Sequence, residues 1–120
     1  MAVLDTNLII YIAKGRIGRK AFAGQELAYS VITRIEALGF PELTLYELRN
    51  LESMFNNAIE LPMTDEVVEL AIAIRQTGRI KLGDAIIAAT ALENDQVLWT
   101  TNTKDFKDIE DLRLHNPLAT

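Results

Sequence analysis

The sequence predicts an α/β protein whose parallel sheet is covered by helices on both faces, and three observations carry that prediction. Short apolar runs of strand length alternate along the chain with longer segments of helical period. Polar residues that turn and cap follow the strand-like runs, as where Asp5-Thr6-Asn7 follows Ala2-Val3-Leu4. The segment from Ala85 to Leu92 is apolar except for Thr90, so it reads as a helix buried on all sides. Parallel strands need such crossovers, and the crossover helices cover the sheet.

Taken in order, Ala2-Val3-Leu4 is a short buried strand, and Leu8 to Ala13 a helix that stops at Gly15. A basic loop follows. Glu26 to Ser30 is the second strand, and Val31 to Leu38 a helix that begins near Thr33 and ends at Gly39, with Pro41 beyond. Leu43 to Phe55 carries apolar residues at 45, 48, 51, 54 and 55, an amphipathic helix that completes a helical hairpin suited to a lid or an interface. Ile59-Glu60-Leu61 is a third strand, ended by Pro62. Thr64-Asp65-Glu66 starts a helix whose stripe is Val67, Leu70, Ala71 and Ile74 and whose stop is Gly78. Gly83 then permits a turn and Asp84 opens the apolar helix, which closes at Asn94-Asp95. Val97 to Thr100 is the best strand of the chain; Asp105 and Phe106 fall in a loop or short helix after it, and Leu112 to Leu114 adds an edge strand. No linker or internal repeat divides the chain, so residues 1–120 are expected to form one domain.

Composition narrows the chemistry. The chain has no cysteine and one histidine, His115, which removes disulfides, thiolate catalysis and cysteine-bound zinc and leaves a Ser-His-Asp triad without support. No apolar run approaches a membrane span and Met1 leads straight into a strand, so a cytoplasmic protein with no membrane association is expected. The net charge of −5 argues against a surface that grips nucleic acid everywhere. Lys14, Arg16, Arg19 and Lys20 nevertheless lie together with no acid among them. They read either as a solvated loop or as a local site for phosphates or an acidic partner.

A chemical function must therefore run on carboxylates. In open α/β sheets, residues just past the strand ends collect along one edge, where ligands bind. Asp5, Asn102 and Asp105 qualify directly, while Asp84 and Glu36 lean toward the same edge from helices. Each has a plain structural reading: Asp84 as a helix N-cap, Glu36 as a solvent-facing acid. Together they would repel one another without a cation. Oxygen ligands suit magnesium or manganese, and such a site suits hydrolysis of a phosphodiester by an activated water.

Four segments, in order, resemble one family. Val3-Leu4-Asp5-Thr6-Asn7, Val31 to Glu36, Lys81 to Ala91 and Thr101-Asn102-Thr103-Lys104-Asp105-Phe106 are similar to the signatures of PIN domains, and especially of VapC-type toxins from toxin–antitoxin pairs. The resemblance implies a three-layer α/β/α sandwich with a mostly parallel central sheet. It implies a magnesium- or manganese-dependent endoribonuclease, and it gives Asp5, Glu36 and Asp84 the roles of the main acidic metal-site residues. Many relatives have Asp where this chain has Asn102, and Asp105 stands ready to supply the missing charge. Thr6, Asn7 and Thr101 would support the site, orienting ligands or water or serving as structural groups. The implied partners are an RNA substrate, a cognate antitoxin and a second copy of the chain, with the Leu43–Phe55 helix as a dimer face. Lys14, Arg16, Arg19 and Lys20 would touch RNA or the antitoxin. Two alternatives stand beside this reading. One is a phosphatase of the haloacid dehalogenase kind, which wants a second Asp where Asn7 stands; the other is a binding module whose acids only cap helices.

Overall fold

The computed structural model describes residues 1–118, apart from the side chain of Arg19. The first half runs β1 (Ala2–Leu4), α1 (Thr6–Ala13), a short 3-10 helix (Arg19–Phe22), β2 (Leu27–Ser30), α2 (Val31–Leu38) and α3 (Leu45–Asn56). The second half runs β3 (Ile59–Leu61), α4 (Asp65–Thr77), α5 (Leu82–Glu93), β4 (Val97–Trp99), a 3-10 turn (Thr103–Asp105) and β5 (Leu114–His115). The strands form one sheet in the order β3-β2-β1-β4-β5, and every adjacent pair is parallel. No described helix is long and apolar enough to cross a membrane.

Strand alternation sorts the side chains into two cores. Ala2, Leu4, Tyr29 and Trp99 face α1 and α3, where Leu8, Ile9, Leu51 and Phe55 meet them. Val3, Ala28 and Leu98 face the other way, against Val67, Ala71 and Ile74 of α4 and the apolar length of α5. The result is the predicted three-layer sandwich. Thr90, the polar exception within α5, donates its hydroxyl to Ile86 O at 2.7 Å and so carries no unmet hydrogen bond into the core.

Local chemistry moves several predicted boundaries. Asp5 caps α1 by accepting from Leu8 N at 2.7 Å, so Thr6 and Asn7 already belong to the helix and are not a separate turn. Ser30 caps α2 in the same way, which starts that helix at Val31 and not near Thr33. Thr44 and Glu47 form a reciprocal capping box that starts α3 at Leu45. α3 is held to the body: Leu51 and Phe55 are buried, and Asn50 Nδ2 donates to the terminal carbonyl of α1, Ala13 O, at 2.9 Å. It behaves as a wall and not as the lid its hairpin suggested. β5 comes one to two residues later than expected, at Leu114–His115, where it pairs with Leu98 and Trp99.

α5 differs most from its reading. It begins at Leu82, so Gly83 lies within its first turn and Asp84 is its third residue, while the cap position falls on Lys81. The N-cap role considered for Asp84 is therefore not the one it has.

Candidate active site

The strand order sets the location. From β1 the chain builds outward through β2 and β3 on one side, and later through β4 and β5 on the other. The connections diverge between β1 and β4, which opens a crevice at the C-terminal ends of those two strands. Asp5 follows β1 there, and its N–H donates to Trp99 O at 3.1 Å. The register that pairs Leu4 with Trp99 puts the next residues, Asp5 and Thr100, side by side.

Asp5 is only 4% exposed, so its carboxylate must be satisfied from within. Oδ1 accepts from Leu8 N–H and Oδ2 from the Thr100 hydroxyl. Thr100 is itself fully buried, and its oxygen accepts from Asn102 N–H at 2.9 Å. Burial pushes the Asp5 pKa up; the Thr100 and Leu8 bonds oppose the rise, and the nearby charges of Asp105 and Glu36 add to it. The hydroxyl that orients Asp5 is thus Thr100, a residue that sequence reasoning did not single out. No property of residue 100 alone reveals this, because it depends on the β1–β4 register.

Glu36 reaches the crevice from α2. Its Oε1 accepts from the Thr6 hydroxyl at 2.7 Å, and Thr6 Oγ1 also lies 3.1 Å from the hydroxyl of buried Thr33. A carboxylate only accepts, so the Thr6 proton goes to Glu36 and the Thr33 proton to Thr6. Gly83 makes room for this acid: a Cβ at that position would stand 2.6 Å from Glu36 Oε2. Sequence reading took Gly83 as a turn residue; its use is close approach inside a helix.

Asp84 points into the same region from α5, half-buried, with its pKa pushed up to about 6. Burial is the main cause, the charges of Asp105 and Asp5 come next, Lys81 pulls the other way, and Glu36 adds a further rise. Asp105, exposed at the end of the 3-10 turn, accepts from Asn102 Nδ2 at 2.5 Å. Asn102 therefore serves the crevice as a donor that holds Asp105 and as a backbone link to Thr100. Asn7 is exposed in the first turn of α1, and Thr101 half-buried in the bend after β4. A cleft of about 440 Å³ opens beside Asp84 and Asp105. A second cavity of about 240 Å³ lies between α1, α3 and β2 and contains none of these acids.

The donor set is all oxygen. Among the described residues no three acidic side chains close into a ready-made cage. Oxygen donors are the chemistry that suits a hard cation such as magnesium. Asp5, Glu36, Asp84 and Asp105 could hold such an ion partly through water, with Asn102 behind Asp105.

The basic residues lie elsewhere. Lys14 follows the C-terminal end of α1, Arg19 and Lys20 lie in the 3-10 helix, and the segment leads into the start of β2. Asp5 caps the opposite end of α1, an eight-residue helix about 12 Å long. Lys14 Nζ is 3.9 Å from Glu47 and 5.9 Å from the Phe40 ring centre, and Arg16 lies over Tyr11.

An α/β/α sandwich that carries Asp5, Glu36, Asp84 and Asp105 near the switch point of a parallel sheet narrows the class to α/β proteins with an acidic crevice. Comparison makes the class particular. A family model described as PIN domain matches residues 2–112. A Rickettsia bellii protein named Ribonuclease VapC is 30% identical, over 93% of this chain and 92% of its own length. Among solved structures, VapBC-1 of nontypeable Haemophilus influenzae is 28% identical with a TM-score of 0.79 and 98% of each chain covered. A toxin–antitoxin complex from Klebsiella pneumoniae is also 28% identical, with a TM-score of 0.76 over the whole of both chains. DNA-bound VapBC from Salmonella typhimurium, at 22% identity and a TM-score of 0.80 over 97% of each chain, adds likeness of fold. The chain belongs to the PIN-domain family and, within it, to the VapC-type proteins.

Proposed function

We propose that this protein is a divalent-metal-dependent endoribonuclease and the toxin of a type II toxin–antitoxin module, acting in the cytoplasm as one domain. The observation that supports it most is the packing of the crevice acids: Glu36 lies against Gly83 in the first turn of α5, one residue before Asp84, and Asp84 and Asp105 line one cleft. Four acids from β1, α2, α5 and the segment after β4 share one crevice, an arrangement that is costly for the fold unless a cation offsets it. The family relationship supports RNA as substrate, since the relative from Rickettsia is named a ribonuclease.

Magnesium or manganese bound among Asp5, Glu36, Asp84 and Asp105 would supply an activated water and neutralise charge on the phosphate. The chain's own groups do the rest. Leu8 N–H and Thr100 fix both oxygens of Asp5, so its carboxylate is presented in one orientation. The Thr6 hydroxyl holds Glu36, and Asn102 holds Asp105. With a pKa near 6, Asp84 in the absence of metal can hold a proton close to neutrality, and cation binding would displace it. The phosphatase alternative needs an acid at position 7, where Asn7 stands exposed in α1.

An antitoxin would insert an Arg or Lys among these carboxylates, and the segment from Lys14 to Lys20 would meet its acidic residues. A homodimer is part of the same proposal. Leu45 and Tyr46 at the start of α3 are 62% and 63% exposed, consistent with the expected α3 face. The test is cleavage of single-stranded RNA by purified protein. We expect activity with magnesium, none in EDTA, and a loss on the order of 100-fold or more in Asp5→Asn and Asp84→Asn, with folding intact by circular dichroism. Full magnesium-dependent activity in either variant would remove that residue from the site.

A further inference from the structure

We propose that Arg79, Lys81 and Lys104 form the phosphate-binding walls of a substrate track that runs through the cleft beside Asp84 and Asp105; this rests on the ribonuclease reading. The cleft has one wall in the Thr77–Lys81 link between α4 and α5 and the other in the segment from Lys104 to Ile109. Asp84 and Asp105 line the same space, as does a further acid, Asp108. At about 440 Å³ it falls within the range of pockets that hold a small ligand, here a nucleotide with its phosphate.

Charge argues for the assignment. A polyanion that approaches four carboxylates on a protein of net charge −5 is repelled unless cations stand beside them. Lys81 is near enough to Asp84 to oppose the rise of its pKa. All three cations are exposed. The salt bridges among the described residues join Lys14 to Glu47, Arg34 to Glu60 and Arg113 to Asp95, and none engages Arg79, Lys81 or Lys104. A guanidinium with no carboxylate partner is suited to fork onto a phosphate. The basic loop that stands out in the sequence lies at the far end of α1 and is partly occupied with Glu47, Phe40 and Tyr11. The three cleft cations are harder to see, because Lys81 and Lys104 are separated by a helix and a strand.

The role assigned is to hold and position RNA and not to take part in bond breaking. The test compares Arg79→Gln/Lys81→Gln/Lys104→Gln with Lys14→Gln/Arg16→Gln/Arg19→Gln/Lys20→Gln, each in the full chain. Binding of a short labelled single-stranded RNA is measured by fluorescence anisotropy in EDTA across a salt series, and KM and kcat are measured in magnesium. The cleft variant should bind on the order of 10-fold more weakly, with a salt slope shallower by about 2 units, near 0.7 for each lost contact to a single strand. Its KM should rise by a larger factor than kcat falls. The loop variant should match the parent. These are surface changes, and matching melting curves establish that both variants fold; single Lys104→Glu is the second variant if the triple one does not. The proposal is overturned if the loop variant loses as much binding as the cleft variant, or if the cleft variant keeps the parent's slope. It is also overturned if polyglutamate, and not RNA, is the anion whose binding the cleft substitutions weaken. A parent that cleaves no RNA would instead sink the ribonuclease reading itself.

Discussion

At the scale of single residues, the site depends on hydroxyls as much as on acids. Thr100 gives Asp5 one of its two hydrogen bonds in a fully buried setting. Thr100→Val keeps the shape, but it leaves Asp5 Oδ2 without its donor and Asn102 N–H without its acceptor. On the proposed metal reading we expect cleavage to fall about 10- to 100-fold, the usual cost of removing a group that orients a metal-ligating side chain. Thr101→Val should cleave like the parent, and steady-state kinetics of the two variants side by side checks both. Asp5 and Asp84 stood out in the sequence as candidates, because acids at a strand end and a helix start contrast with apolar runs. Thr100 did not, because its role exists only once Leu4 pairs with Trp99.

At the scale of elements, the order of strands and helices was readable from period and punctuation, and the boundaries were set by caps. The Thr44–Glu47 box and the Ser30 cap move helix starts by about two residues from where apolar period alone puts them. The first turn of α5 carries a sharper consequence. Gly83 sits where a methyl group would meet the Glu36 carboxylate. That carboxylate is the end of a flexible side chain and can move aside, so Gly83→Ala should not cost stability. Alanine is the better helix former by up to about 1 kcal/mol, and the melting temperature should hold or rise. Cleavage should nevertheless drop on the order of 10-fold or more, because a carboxylate displaced by an ångström no longer serves the crevice. A variant that melts lower and cleaves normally would contradict both halves of the argument.

At the scale of the whole molecule, the crevice works against the fold that holds it. Asp84 has a raised pKa in the native state, so below the usual carboxylate range native and unfolded forms carry the same proton. Between its ordinary value of 3.8 and about 6 the native form holds more, and the stability associated with that proton is lost as pH rises through this window. In EDTA, Asp84→Asn should therefore melt above the parent at pH 7.5 by a few degrees, and the gap should close toward pH 4. On the proposed reading magnesium binds the folded parent and should reverse the order; at about a hundred times its dissociation constant it would add roughly 2.7 kcal/mol. Four melting curves, parent and variant with EDTA and with magnesium, give the comparison. A variant that melts below the parent in EDTA would mean that Asp84 stabilises its helix more than it strains the cluster.

The indole of Trp99 offers a different kind of consequence. It is the one tryptophan of the chain, nearly buried between the Phe22 ring at 5.6 Å and the His115 ring at 4.4 Å, one residue before Thr100. Its side chain packs on the α1 and α3 side of the sheet, so its emission reports on that side and on the sheet it belongs to. Far-ultraviolet circular dichroism sees the helices of both sides, including α4 and α5. If the two optical signals trace one denaturation curve, the layers melt as a unit; if emission reddens first, the α1–α3 side has let go while α5 still holds the sheet.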